Sequence, residues 1–182
     1  MLKITIPAVE LYDEKTNRFY VNSKPQTLAL EHSLVSISKW ESKWHKPFLT
    51  DTEKTTEEAI DYVRCMTLTQ NVDPEVYKFL TAENFRDVNA YIEDPMTASW
   101  VTEPQGANKR SSEVITSELI YYWMIALNIP VEFQKWHLNR LLMLIKVCNA
   151  KNAPDKKMSR GDILRRNRAL NAARRKAMGS RG

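Results

Sequence analysis

The charge on this chain is divided along its length, and the division limits which residues can build a core. Residues 151–182 hold eleven basic against two acidic residues, a net charge of +9, while residues 1–150 are at −4. The final stretch, SRGDILRRNRALNAARRKAMGSRG from Ser159 to Gly182, carries seven Arg and one Lys against a single Asp. Its apolar stripe at helical spacing is Ile163, Leu170, Ala173 and Ala177, interrupted by Asn167. That stripe is too thin to offset an ordering cost of about 1–2 kcal/mol per residue. Ser159 is positioned to cap a final helix, with Asp162 near its positive end. A helix this charged is marginal alone and is expected to order against a partner. The fold is therefore expected from residues 1–150, with 151–182 as a basic linker and helical tail.

Apolar residues make up 43% of the chain, enough for one core of domain size. LKITI alternates Leu2, Ile4 and Ile6 with Lys3 and Thr5, a half-buried strand stopped by Pro7. RFYV follows a turn-forming DEKTN, so a small β-hairpin or pair of strands is expected over about 1–22. After Pro25 the period changes. Leu30, Leu34, Ile37, Trp40 and Trp44 recur at steps of three and four, which predicts a helix with Thr27 as its cap and Pro47 as its stop. The LVSIS within it also alternates with period two, so a strand stays open there.

Thr55 and Glu58 have the spacing of a capping box, and Ala59, Tyr62, Val63 and Met66 continue as a stripe. Asp73 and Pro74 mark another helix start. Thr81 caps a run with Phe85, Val88 and Ile92 on one side, ended by Pro95. Residues 94–110 hold two prolines and a glycine without any period, and read as a loop. Two long helices are then predicted, about 112–128 with Ser111 or Ser112 as cap, and 131–149. Trp136, Leu141, Leu144 and Cys148 line the second, widened by Leu138, Leu142 and Ile145. The short NIP link suggests that the two pack antiparallel and form the core. The expected fold is mainly α, a helical domain with a small N-terminal β element and a basic helical tail.

The nine apolar residues LIYYWMIAL, Leu119–Leu127, fall short of the about 20 that a membrane span needs, and read as a buried core helix. MLKITIPAVELYDE has neither the basic start nor the apolar run of a signal peptide. Cys65 and Cys148 sit in apolar contexts and are expected as buried thiols. His32, His45 and His137 are far apart and form no metal-ligand spacing, and His137 is expected at a helix surface or boundary. Three of the four glycines come after residue 160, which leaves no phosphate-cradling loop. No GxSxG or HExxH motif occurs. No catalytic residue, metal or cofactor is assigned.

Two features point outward. Trp40 and Trp44 stand beside Lys39, Lys43 and Lys46. Either the rings are core with lysine stems covering them, or they form an aromatic docking face. The tail arginines suit phosphate, but no aromatic is present there to stack on bases and no reading module precedes them. An acidic protein surface, or plain solvation, fits the same charge.

LEHSLVSISKWESKWHKPFL, EEAIDYVRCMTL, SEVITSELIYYWMIALNIPVEFQKWHLNRLLMLIKVCNAKNAP and KKMSRGDILRRNRALNAARRK resemble the tail assembly chaperones of long-tailed bacteriophages. The similarity runs from residue 1 to about 178, with QKWHLNRLL its most specific wording. It implies a non-enzymatic role in the host cytoplasm: coating the helical tape measure protein, keeping it soluble and recruiting tail tube subunits. On this resemblance Trp40, Trp44 and Trp136 would supply apolar partner contacts. Arg165, Arg166, Arg168, Arg174 and Arg175 would supply salt-sensitive ones. Self-association is compatible with it; nucleic acid and membrane are not expected partners. The rival classes are a structural virion subunit of the neck or tail and a nucleic-acid-binding accessory.

Overall fold

The computed structural model describes residues 1–13, 17–50, 52–99, 114–152 and 160–179. The chain divides into two compact units, Met1–Lys151 and Asn152–Gly182. The first is mainly helical with small two-stranded sheets at its N-terminus.

Strand β1 (Leu2–Ile6) pairs antiparallel with β4 (Gln26–Leu30), placing Ile4 opposite Leu28 and Leu2 opposite Leu30. Ile4, Ile6, Leu28 and Leu30 are buried on the inner face. β2 (Val9–Asp13) and β3 (Arg18–Asn22) form a separate hairpin. The expected LKITI and RFYV strands are both present, but each pairs with a segment not predicted as strand. QTLAL was expected inside a helix capped at Thr27. It is β4 instead, because Leu28 and Leu30 alternate with polar or small residues and meet β1 in register. The other edge of β4 is closed by the chain leaving α2: Leu68 N–H donates to the Ala29 carbonyl at 2.8 Å and Glu31 N–H to that of Met66 at 2.9 Å.

Helix α1 (Leu34–Trp44) therefore begins at Ser33, which makes a reciprocal capping box with Ser36. It ends at His45, whose φ of 53° turns the chain in a left-handed cap ahead of Pro47. Leu34, Ile37 and Trp40 face inward and are almost wholly buried. α2 (Thr56–Met66) carries the predicted Thr55–Glu58 capping box and buries Tyr62, Val63 and Met66. The Asp73–Pro74 start gives a 3₁₀ turn, Pro74–Phe79, rather than an α-helix. α3 (Ala82–Glu93) is capped by Thr81; Val88 and Tyr91 are its buried apolar residues, with Phe85 and Ile92 half-buried.

The two long helices are shorter than expected and do not carry the core between them. α4 (Ser117–Ala126) is capped by Thr116; Ser111 and Ser112 lie outside the described residues. Asn128, at φ 53°, terminates it. Residues 131–149 are not one helix: a 3₁₀ turn at Val131–Lys135 is followed by α5 (Leu138–Asn152). The break has a backbone cause. Leu138 N–H donates to the His32 carbonyl at 2.8 Å, and His137 forms a β-bridge with Ser33. α1 is the central element, packed against α2, α4 and the 131–135 turn. The α5 core positions are Leu138, Leu141 and Ile145, while Leu144 and Cys148 are only half-buried. Cys65 is half-buried too, and both thiols are free.

The second unit contains α6 (Arg160–Met178). No helix among the described residues is long and apolar enough to cross a membrane.

Leu141→Ala is expected to cost about 2–5 kcal/mol in urea unfolding. Leu144→Ala should cost clearly less. Equal losses at the two positions would move the core face of α5.

Candidate functional site

The aromatic residues singled out in α1 are held to α2 by charge and hydrogen bonds. Trp40 is 1% exposed, and its indole N–H donates to the Glu58 carbonyl at 2.9 Å. Trp44 stacks beside it with ring centroids 6.2 Å apart, and donates to Asp61 Oδ2 at 2.9 Å. Lys43 pairs with Asp61 Oδ1, and Lys46 with Glu58 Oε1. Both carboxylates are buried side chains on α2. The Lys46 ammonium and the Thr55 backbone N–H hold the Glu58 carboxyl below the usual carboxylate range. Trp40 thus offers no ring face to a partner, and Trp44 offers part of one. The Lys43 ammonium lies 5.7 Å from the Trp44 ring centroid, and the Lys54 ammonium 5.9 Å from that of Trp40.

Beside Trp40 lies a cavity of about 270 Å³, lined by Lys46, Pro47, Thr50, Lys54 and Glu58 among others. Lys54 reaches over the Phe48 ring, its Nζ 4.4 Å from the centroid. Burial pushes its ammonium pKa down, and nearby Glu58 partly restores it. Its lining balances two ammonium groups, Lys46 and Lys54, against two carboxylates, Glu53 and Glu58, with Lys46 already paired to Glu58.

Glu41, also on α1, ties the helix to two other parts of the chain. Its side chain is buried, Oε1 accepting from Phe48 N–H and Oε2 from Ser117 N–H, both at 2.8 Å. Ser117 opens α4, so the carboxylate also meets the positive end of that helix.

Trp136 belongs to a different surface. It stacks on Phe133 with centroids 4.0 Å apart and planes 15° apart, and the Arg140 guanidinium lies 4.0 Å from its ring centroid. A second cavity, with Glu31, Tyr91, Lys135 and His137 in its lining, adjoins this stack and shares no residue with the first. The structure therefore brings Trp40 and Trp44 together but not Trp136 with them. Arg165, Arg166, Arg168, Arg174 and Arg175 are all exposed along α6. Arg166 and Arg174 flank Leu170 at steps of four, and Arg168 and Arg175 share another face.

Two features escaped sequence reasoning. The outer face of the β2–β3 hairpin is aromatic: Tyr12 and Phe19 pair across the strands at 4.7 Å, and Phe19 is 75% exposed beside exposed Val21. Alternation within RFYVN was the signal. The second is a buried histidine pair. His32 and His137 lie 5.1 Å apart between centroids, and both are nearly inaccessible. His137 was expected at a helix surface or boundary; it does stand at a boundary, just ahead of Leu138 of α5, but its ring is packed inside against Tyr91. His137 Nδ1 accepts from Asn139 N–H at 3.3 Å, so Nε2–H donates to the Tyr91 carbonyl at 2.9 Å. His32 Nδ1 is 2.6 Å from the Tyr62 hydroxyl. No sequence pattern announces a pair whose members are so far apart.

Burial pushes the Cys65 thiol pKa up, away from a reactive thiolate. Among the described residues, no group of three His, Cys, Asp or Glu side chains is placed to hold a metal ion.

No protein-family model, curated protein or solved structure matches this chain.

Burial, reinforced by His137, lowers the His32 pKa from 6.5 to about 3. The unfolded chain thus binds a proton that the folded chain refuses. Stability should hold above pH 6.5 and fall steadily as pH drops from there toward 3. Melting temperatures measured from about pH 7.5 to about pH 5 check this. His32→Gln should flatten that slope even where it lowers stability at neutral pH.

Proposed function

We propose that this chain is a non-enzymatic morphogenesis factor of a long-tailed bacteriophage, an assembly chaperone for the tape measure protein that also helps recruit tail tube subunits. It acts in the host cytoplasm. The observation that best supports this reading is α6. It holds six Arg and one Lys after a body of net charge −4, and presents its described arginines to solvent as part of a separate compact unit. A client that is a long amphipathic helix offers many acidic registers. Exposed arginines can engage these without fixing one, because each planar fork pairs with a carboxylate in two-bond geometry. Trp136 with Arg140, and the Tyr12–Phe19 face, would add apolar contacts.

The residues behind the resemblance support it in a particular way. In QKWHLNRLL, His137, Leu138 and Leu141 are buried. Asn139 donates from Nδ2 to the carbonyls of Ile92 and Asp94, each at 2.8 Å. That wording is thus tied to the fold, and the client contacts are assigned to the surface around it.

A structural virion subunit is the second reading, favoured by the exposed Tyr122 and Ile125 of α4, which suit a permanent neighbour. Virion composition separates the two: a chaperone is absent from purified particles, and a subunit is present in fixed stoichiometry.

Co-expression should keep the tape measure protein soluble, and the two should co-purify. Removing residues 159–182 should leave the melting temperature of the body nearly unchanged. The same truncation should weaken the complex and remove much of its salt dependence. Duplex DNA should bind weakly and without sequence preference at physiological salt. Absence of co-purification, or tight sequence-selective DNA binding, would sink the chaperone reading.

A further inference from the structure

Helix α4 was expected to be wholly buried, and it is not. Only Ser117 and Glu118 of its residues SELIYYWMIA are neither apolar nor aromatic. Ser117, Ile120 and Met124 form the buried face, and the helix packs on α1. Steps of three and four put Glu118, Tyr122 and Ile125 on the other side, flanked by Leu119 and Ala126. Tyr122 is 64% exposed and Ile125 76%. Val131, just past the Pro130 bend, is 58% exposed. A surface helix ordinarily turns charge to water, whereas a helix apolar all round belongs in an interior.

We propose that this face is a two-fold interface, occupied by the same α4 face of a second copy of this chain. Area is one argument. Leu119, Tyr122, Ile125, Ala126 and Val131 expose on the order of 500 Å² per copy, so mutual burial removes about 1,000 Å², the least that a biological interface clears. Charge is another. Glu118 is the only ionised residue of α4, and it stands in the first turn. Antiparallel pairing across a two-fold axis keeps the two Glu118 carboxylates at opposite ends of the contact, so these two do not meet. A basic segment would find Glu118 and the exposed Glu132 at the two ends of this face and no acidic stripe between them to follow.

The face is also preformed. Glu41 fixes the first turn of α4 on α1, and Asn128 stops the helix two residues beyond Ala126. Little ordering cost is left for association. Near the axis the Tyr122 rings would pack on one another, and the small Ala126 lets the helices approach.

Sedimentation or light scattering on the full chain at about 50 µM, a range where micromolar dimers are populated, tests the assignment. The wild-type chain should be a dimer. Ile125→Glu should be a monomer with an unchanged helical spectrum and melting curve. Phe19→Glu, on the β2–β3 hairpin, should stay dimeric. Tyr122→Cys should give a covalent dimer on mild oxidation, which the wild-type chain with its own two thiols should not. The proposal is overturned if the wild-type chain is monomeric, if Ile125→Glu remains a dimer, or if Phe19→Glu is the variant that dissociates. It is equally overturned if Tyr122→Cys does not cross-link, or if Ile125 is protected only when a tape measure segment is added.

Discussion

A single buried carboxylate organises the helical body. Glu41 accepts from the backbone N–H of Phe48 with one oxygen and from that of Ser117 with the other. An ionised group removed from water is costly unless its lone pairs are met. Here they are met by two donors from distant parts of the chain. One donor fixes the chain after α1, which brings Phe48 under Tyr62 with centroids 4.0 Å apart. The other fixes the start of α4, and so decides which α4 residues face α1. The inward position of Ile120 and Met124, and the outward position of Tyr122 and Ile125, follow from that one contact together with the helical period.

A second clasp holds α5. The β4–α1 junction accepts Leu138 N–H at the His32 carbonyl and pairs Ser33 with His137. It satisfies the first helical N–H of α5, which would otherwise lack a partner. The two imidazoles lie beside it, His32 against the Tyr62 hydroxyl and His137 against the Tyr91 carbonyl. Tyr62 and Tyr91, on α2 and α3, close the cluster from the other side. The tightest sequence wording in the chain therefore sits where four elements meet.

Interior ion pairing and surface charge serve different ends here. Lys43 and Lys46 pair with Asp61 and Glu58 within the body, so these two lysines beside the α1 tryptophans stitch helix to helix. Arg165, Arg166, Arg168, Arg174 and Arg175 of α6 are exposed in their own unit. A chain that neutralises charge inside one unit and displays it on another is well suited to weak, salt-dependent contacts with a long partner, in keeping with the proposed chaperone role.

Local chemistry was legible in the sequence. The Thr55–Glu58 box, the Thr81 cap, the Asp73–Pro74 start and the mainly helical character depend on residues a few positions apart, whose spacing alone satisfies the backbone. The stripe of Leu34, Ile37 and Trp40 was legible for the same reason. Pairing was not. QTLAL became a strand because LKITI lay ready to receive it, and the predicted helix at 131–149 broke because His32 and Ser33 claimed the backbone of Leu138 and His137. Of the partner residues chosen from the sequence, Trp40 went inside because Glu58 offered its carbonyl, and Trp136 was held apart on another surface. LIYYWMIAL looked like core because period and composition cannot tell a helix covered by its own chain from one covered on a single side. By itself the sequence determined where helices start, which stripes are apolar and where charge collects. Tertiary structure decided which stripe meets which, because those choices rest on hydrogen bonds between residues far apart in the chain.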